Sequence, residues 1–127
     1  MQQVARIVIV DDDRAVRHGL SNLLAAEGYQ PQLYDCGEAL LADSTVLQDT
    51  ALMLLDISLS GISGFELYRT LAEGEIPPPP VIFLSGHGGE NMLWYAQHLG
   101  AITWLPKPID VELLLSHIRQ CIEAGEA

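Results

Sequence analysis

The sequence predicts an α/β domain built on a five-stranded parallel sheet, and three observations carry that prediction. Short apolar runs rich in β-branched residues alternate with stretches of helical period. The strand-to-helix alternation repeats five times along the chain. The first run, Ile7-Val8-Ile9-Val10, has no polar residue at all, as a strand covered on both faces requires.

Each element follows from its local pattern. The first strand is expected from Ala5 to Val10. Val16, Leu20, Leu23 and Leu24 then recur at helical spacing, and Gly28 is a natural stop. A weaker strand falls at Gln32 to Tyr34, followed by a short, poorly marked helix at Gly37 to Leu41. Ala51 to Leu55 is a central strand, Ser58 to Ser63 a Ser/Gly loop, and Gly64 to Ala72 a helix.

Pro77 to Pro80 removes four consecutive backbone donors, so it reads as a stiff extended connector. A ligand for a proline-reading module is the sharper alternative. Val81 to Leu84 is the fourth strand, Gly86 to Gly89 a flexible loop, and Asn91 to Leu99 a helix ended by Gly100. The last strand covers Ala101 to Leu105. The last helix runs from Asp110, as N-cap, to Glu123, with Val111, Leu115, Ile118 and Ile122 on one stripe. Alternation of this kind calls for right-handed crossovers and helices on both faces of the sheet.

At 127 residues the chain has room for one core, so residues 1–123 form the domain and 124–127 a tail or the start of a linker. A content of 49% hydrophobic and 18% charged residues suits a packed globule. Six Lys plus Arg against 17 Asp plus Glu give a net charge of −11, which argues against binding nucleic acid or an anionic membrane surface. Cys36 and Cys121 lack metal-ligand spacing and are expected as buried thiols in a reducing cytoplasm. No stretch approaches the roughly 20 apolar residues of a membrane span. A soluble cytoplasmic protein is expected.

The polar residues gain meaning from the strand ends. Asp11 and Asp12 follow the first strand, Asp56 the third, Ser85 the fourth, and Lys107 lies just past the fifth. Parallel strands end on one edge, and that edge is where open α/β sheets place their functional crevice. Three close carboxylates repel one another, so one protonates or a cation intervenes. An oxygen-rich cluster with few ligands suits Mg2+ or Mn2+, and a screened Asp56 is then a candidate nucleophile toward an anionic phosphodonor. Ser85 can donate to a phosphoryl oxygen, with Lys107 as a compact positive charge opposite. Lys107-Pro108 is a candidate cis bond that would aim the lysine inward.

Singly, each residue has a plainer reading. An Asp at a strand end commonly forms a turn or caps a helix, and Asp13 is expected to cap the first helix. The coincidence of four strand ends bearing the groups of one metal-assisted phosphoryl transfer outweighs those readings.

Four strings also resemble a known signature: Ile7-Val8-Ile9-Val10-Asp11-Asp12-Asp13, Leu54-Leu55-Asp56-Ile57-Ser58-Leu59, Phe83-Leu84-Ser85-Gly86-His87-Gly88 and Leu105-Pro106-Lys107-Pro108. With Gly64 and Leu99-Gly100-Ala101, they resemble the receiver domain of bacterial two-component response regulators. The resemblance implies a flavodoxin-like fold with strand order 2-1-3-4-5. It implies Asp56 as phosphoacceptor, Asp12 as a direct Mg2+ ligand, Asp11 as one through water, and the Ser58 backbone carbonyl as a further ligand. Ser85 and Lys107 would sense the phosphoryl group. Trp104 matches a switching aromatic that is usually Tyr or Phe. Ser60 stands where the family often has Pro, which would loosen the loop, and Ile109 replaces a frequent Phe. Ser58 and His87 occupy positions that bear on phosphoryl lifetime.

The implied function is a switch and not an enzyme: a histidine kinase donates, Asp56 accepts, and the surface of helix four, strand five and helix five changes. An effector domain or protein would read that surface, and a phosphorylation-linked homodimer is a family habit. On helix four, Trp94-Tyr95 is expected to pack, with one ring turned outward toward partners. The alternative is a haloacid-dehalogenase-like phosphatase with Asp11 as nucleophile, since Asp11 and Asp13 form Asp-x-Asp after the first strand. A phosphorylation-independent interaction module is a third class. The acidic first turn argues against a dinucleotide-binding enzyme.

Overall fold

The computed structural model describes residues 4–86 and 90–126. Strands β1 (Arg6–Val10), β2 (Gln30–Tyr34), β3 (Thr50–Asp56), β4 (Val81–Ser85) and β5 (Thr103–Pro106) alternate with helices α1 (Arg14–Ala26), α2 (Gly37–Ala42), α3 (Gly64–Ala72), α4 (Glu90–His98) and α5 (Val111–Glu126). All pairings are parallel and the order is β2-β1-β3-β4-β5. The expected fold class and strand order are therefore those observed.

Strand side chains alternate between faces, and here both faces are apolar. Val8, Val10, Met53, Leu55, Val81 and Phe83 meet Leu40 of α2, Leu67 and Leu71 of α3 and Ala96 of α4. Ile7, Ile9, Leu52, Leu54, Ile82 and Leu84 meet Leu20 and Leu24 of α1 and Leu114, Leu115 and Ile118 of α5. The near-continuous apolar runs follow from this two-sided covering. Against the expected stripe on α5, Val111 is 43% exposed and Leu114 is fully buried in its place. Val111 opens the helix, where the chain has not yet come down onto the sheet.

Caps fix the helix starts. Asp13 Oδ1 accepts from Ala15 N at 2.9 Å and Val16 N at 3.2 Å, and Asp110 Oδ1 accepts from Leu113 N at 3.1 Å. Gly28 and Gly100, at φ of +91° and +96°, close α1 and α4. Several boundaries differ from expectation. Helix α5 continues to Glu126, so most of the expected tail is helical, and β5 begins at Thr103 after a bend at Ile102. A 3-10 helix at Ser44–Asp49, with no apolar period to announce it, leads into β3. Cys36 and Cys121 are free thiols, half-buried where full burial was expected.

Strand β2 begins two residues earlier than expected, and so contains Pro31. It is tolerated because Gln30 N donates to Ala5 O at 2.8 Å, so the next residue's nitrogen faces away from β1. At the other end of β2 the Tyr34 hydroxyl donates to Asp43 Oδ2 at 2.6 Å. Burial, then that hydrogen bond and the Asp43 charge, push the Tyr34 phenol from 10.0 up to about 12. The resulting stability is present below the unfolded value of 10.0 and is lost as pH rises toward 12. An alkaline titration read by phenolate absorbance should show one of the four tyrosines ionising near 12, a step absent from Tyr34→Phe.

Candidate functional site

The carboxyl ends of β1, β3, β4 and β5 converge on one crevice, and each local fold has a cause. The end of β1 is held by Asp11 N donating to Tyr34 O at 3.2 Å and by Arg17 Nη1 of α1 donating to Asp11 O at 2.9 Å. The end of β3 is held by Ile57 N donating to Leu84 O at 2.9 Å, and Lys107 N donates to Ser85 O at 2.7 Å. Gly64 opens α3 directly beneath Asp56: a Cβ there would lie 2.3 Å from Asp56 O and 2.9 Å from Ile57 Cα. Only glycine lets the helix start so close to the strand end. The Lys107-Pro108 bond is cis, as expected from the sequence.

One ligand oxygen from each of Asp11, Asp12 and Asp56 lies within 4.8 Å of the others. Asp11 is fully buried, Asp56 is 3% exposed and Asp12 is exposed. Lys107 Nζ reaches Asp11 Oδ2 at 2.8 Å and Asp56 Oδ2 at 3.2 Å. Ser58 N donates to Asp56 Oδ1 at 3.0 Å, and Asp13 N donates to Asp11 Oδ1 at 2.8 Å. Ser85 is buried at the end of β4. Asp11, Asp12, Asp56 and Lys107 thus meet in the crevice, while Ser85 is placed by its backbone at the neighbouring strand end.

The electrostatics follow from burial and charge. Burial pushes the Asp11 carboxyl above its ordinary value, and Asp56 adds to it; Lys107 and the Asp13 N–H pull the other way without cancelling it. Partial burial works to lower the Lys107 ammonium, but Asp11 and Asp56 outweigh it and the net shift is upward. A single lysine thus pairs with two of the three clustered carboxylates. Asp11 Oδ2, buried, has the Lys107 ammonium as its partner at 2.8 Å. Three crowded carboxylates with one ammonium to balance them are a donor set that fits a hard divalent cation.

The family model for the response regulator receiver domain matches residues 7–119. The chain belongs to the response regulator receiver family. This receiver domain is 38% identical over 122 residues to the response regulator protein TmoT of Ectopseudomonas mendocina, covering 95% of the chain and 54% of that protein. It is 29% identical to the transcriptional regulatory protein FixJ of Bradyrhizobium diazoefficiens, covering 99% of the chain and 60% of FixJ. The chain thus spans only a little over half the length of these curated relatives. Among solved structures it superposes on a response regulator receiver protein from Pseudomonas putida with a TM-score of 0.86 at 25% identity, covering 94% and 99% of the two chains. The BeF3-activated DrrB receiver domain gives 0.83 at 26% identity, covering 95% and 99%.

The receiver's acidic cluster serves phosphoryl transfer to its own aspartate, and the phosphatase alternative loses its support. Asp13, the second acid of the Asp-x-Asp pattern, spends its carboxylate on capping α1. Asp56, which that reading leaves idle, sits at the centre of the crevice. His87 lies outside the described residues.

One residue behaves differently from its sequence reading. Ser60, expected to loosen the loop after β3, instead donates to Asp12 from both its N–H and its hydroxyl. Trp104 lies on β5 opposite Phe83, packed against the core, with its indole Nε1 buried and without a hydrogen-bond partner among the described residues. On α4, Tyr95 packs edge-on against Phe65 at 4.8 Å while Trp94 is 66% exposed and stacks on His98 at 5.3 Å. That division matches the expected inward and outward rings. Among the described residues no helix is long and apolar enough to cross a membrane.

Proposed function

We propose that Asp56 is the phosphoacceptor of a Mg2+-dependent switch driven by a histidine kinase. The observation that carries this reading is the cluster of Asp11, Asp12 and Asp56 oxygens within 4.8 Å, with Lys107 bound to two of the three residues. Asp12 is the direct metal ligand, Asp11 a ligand through water, and the Ser58 carbonyl a further donor, alongside Asp56 itself. When bound, Mg2+ screens the carboxylates so that an anionic donor can approach.

An Asp56 carboxylate oxygen attacks the donor phosphorus as the phosphorus–nitrogen bond of a kinase phosphohistidine breaks, and the freed imidazole takes up a proton. Ser85 donates to a phosphoryl oxygen. Lys107 transfers its ion pair from the bare carboxylate to the phosphoryl group. These differential contacts are what shift the resting equilibrium toward the active state. Trp104, on β5 beside this crevice, is the switching aromatic.

The output surface is the face formed by α4, β5 and α5, where Trp94 is exposed. An effector domain or protein reads this face, which is also the proposed place of a phosphorylation-linked homodimer. Likeness to FixJ, a transcriptional regulatory protein, supports transcription as the output. With a net charge of −11, this domain does not itself hold the nucleic acid.

Incubation with acetyl phosphate, read by intact mass, tests the proposal. A phosphoryl mass gain is expected with MgCl2 present. With EDTA the rate should fall by at least about a hundredfold, the scale on which metal charge stabilisation acts. No mass gain under either condition would overturn the reading.

A further inference from the structure

Residues 57–63 connect β3 to α3, and two carboxylates from elsewhere in the fold tie the loop, each at its own point. Ser60 N and Ser60 Oγ reach Asp12 Oδ2 at 3.2 Å and 3.1 Å, across 48 residues of sequence. Two positions further along, Ile62 N donates to Glu38 Oε2 of α2 at 3.2 Å. The loop is therefore strung between β1 and α2.

The consequence for Asp12 is specific. It is the exposed member of the acidic cluster, and repulsion from like charge on Asp11 and Asp56 favours an outward drift of its side chain. Two donors from a single residue oppose that drift. They fill Oδ2 and leave Oδ1 as the Asp12 oxygen without a hydrogen bond among the described residues. A proline at position 60 would supply neither donor.

We infer that Ser60 is a positioning residue for the metal site, holding Asp12 in its ligating orientation through the N–H and hydroxyl bonds to Oδ2. The inference rests on the proposed role of Asp12 as a cation ligand. Ser60 touches no reacting atom and acts through Asp12 alone. Groups that orient metal ligands commonly affect affinity by about ten- to a hundredfold when removed. Because Asp12 is exposed, the lower end of that range applies.

Titration of backbone amide chemical shifts with MgCl2 alone tests this in wild type, Ser60→Thr, Ser60→Ala and Ser60→Pro. Loss of the hydroxyl in Ser60→Ala should weaken Mg2+ binding about threefold, and loss of both donors in Ser60→Pro about tenfold. Ser60→Thr keeps both and should stay within about twofold of wild type. With acetyl phosphate, Ser60→Ala should be slow at low Mg2+ and regain the wild-type rate at saturating Mg2+. A general loss of structure would not be rescued by metal. Wild-type affinity or tighter in Ser60→Ala, with wild type binding normally, overturns the inference and leaves the proposed function standing. Absence of any Mg2+-dependent shift in wild type overturns the metal reading itself. If Ser60→Pro does not fold, the alanine and threonine variants decide the matter.

Discussion

Asp56→Asn should abolish phosphorylation while leaving the fold in place. The amide keeps the size of the side chain, so Ser58 N can still donate to its oxygen, and Lys107 keeps its 2.8 Å contact with Asp11. What disappears is the anionic nucleophile, since a carboxamide delocalises its lone pair and carries no charge. Removing a nucleophile outright lowers rates by several orders of magnitude, so acetyl phosphate transfer should drop at least about a thousandfold, below detection by intact mass. Amide spectra of the variant should show changes confined to the ends of β1, β3 and β5. A mass gain that persists in Asp56→Asn would place the nucleophile elsewhere, with Asp11 the first candidate.

The second large effect is expected at a residue without a side chain. Gly64→Ala would put a methyl group 2.3 Å from the Asp56 carbonyl oxygen and 2.9 Å from Ile57 Cα, both backbone. Backbone cannot rotate away as a side-chain tip can, so α3 or the end of β3 has to shift. Overpacking of this kind costs about 3 kcal/mol, a large share of the 5–15 kcal/mol typical of a domain. The urea midpoint should fall steeply with an unchanged slope. Because the displaced carbonyl belongs to Asp56, phosphorylation of the folded fraction should slow as well. Gly19→Ala is the contrasting control. It lies inside α1 with nothing within 4 Å of the added atom, and should stabilise by about 0.5–1 kcal/mol.

Much of this architecture was legible because both faces of the sheet are covered. Strands such as Ile7 to Val10 must then be apolar throughout, and parallel strands must end on one edge, which collects Asp11, Asp56, Ser85 and Lys107. The 3-10 helix at Ser44–Asp49 left no such trace, since it buries little beyond Leu47. Val111 misled because helical period shows which residues share a stripe, whereas where a helix first touches the sheet depends on the preceding loop. The bonds from Ser60 to Asp12 join residues 48 apart, and no local pattern encodes a contact of that range. Reading Ser60 as the absence of a proline concealed that it brings two donors.

Pro31 has a consequence for how this domain can meet other proteins. Within β2 alternate residues point their peptide groups outward, and position 31 is one whose nitrogen faces open solvent yet bears no hydrogen. That border of the sheet offers an incomplete ladder to an incoming strand, which discourages runaway stacking of copies. The opposite border, β5, is only four residues long and finishes in Pro106. Neither flank suits backbone zippering, so recognition falls to side chains on the helical surfaces, where contacts can be made and released as the switch turns.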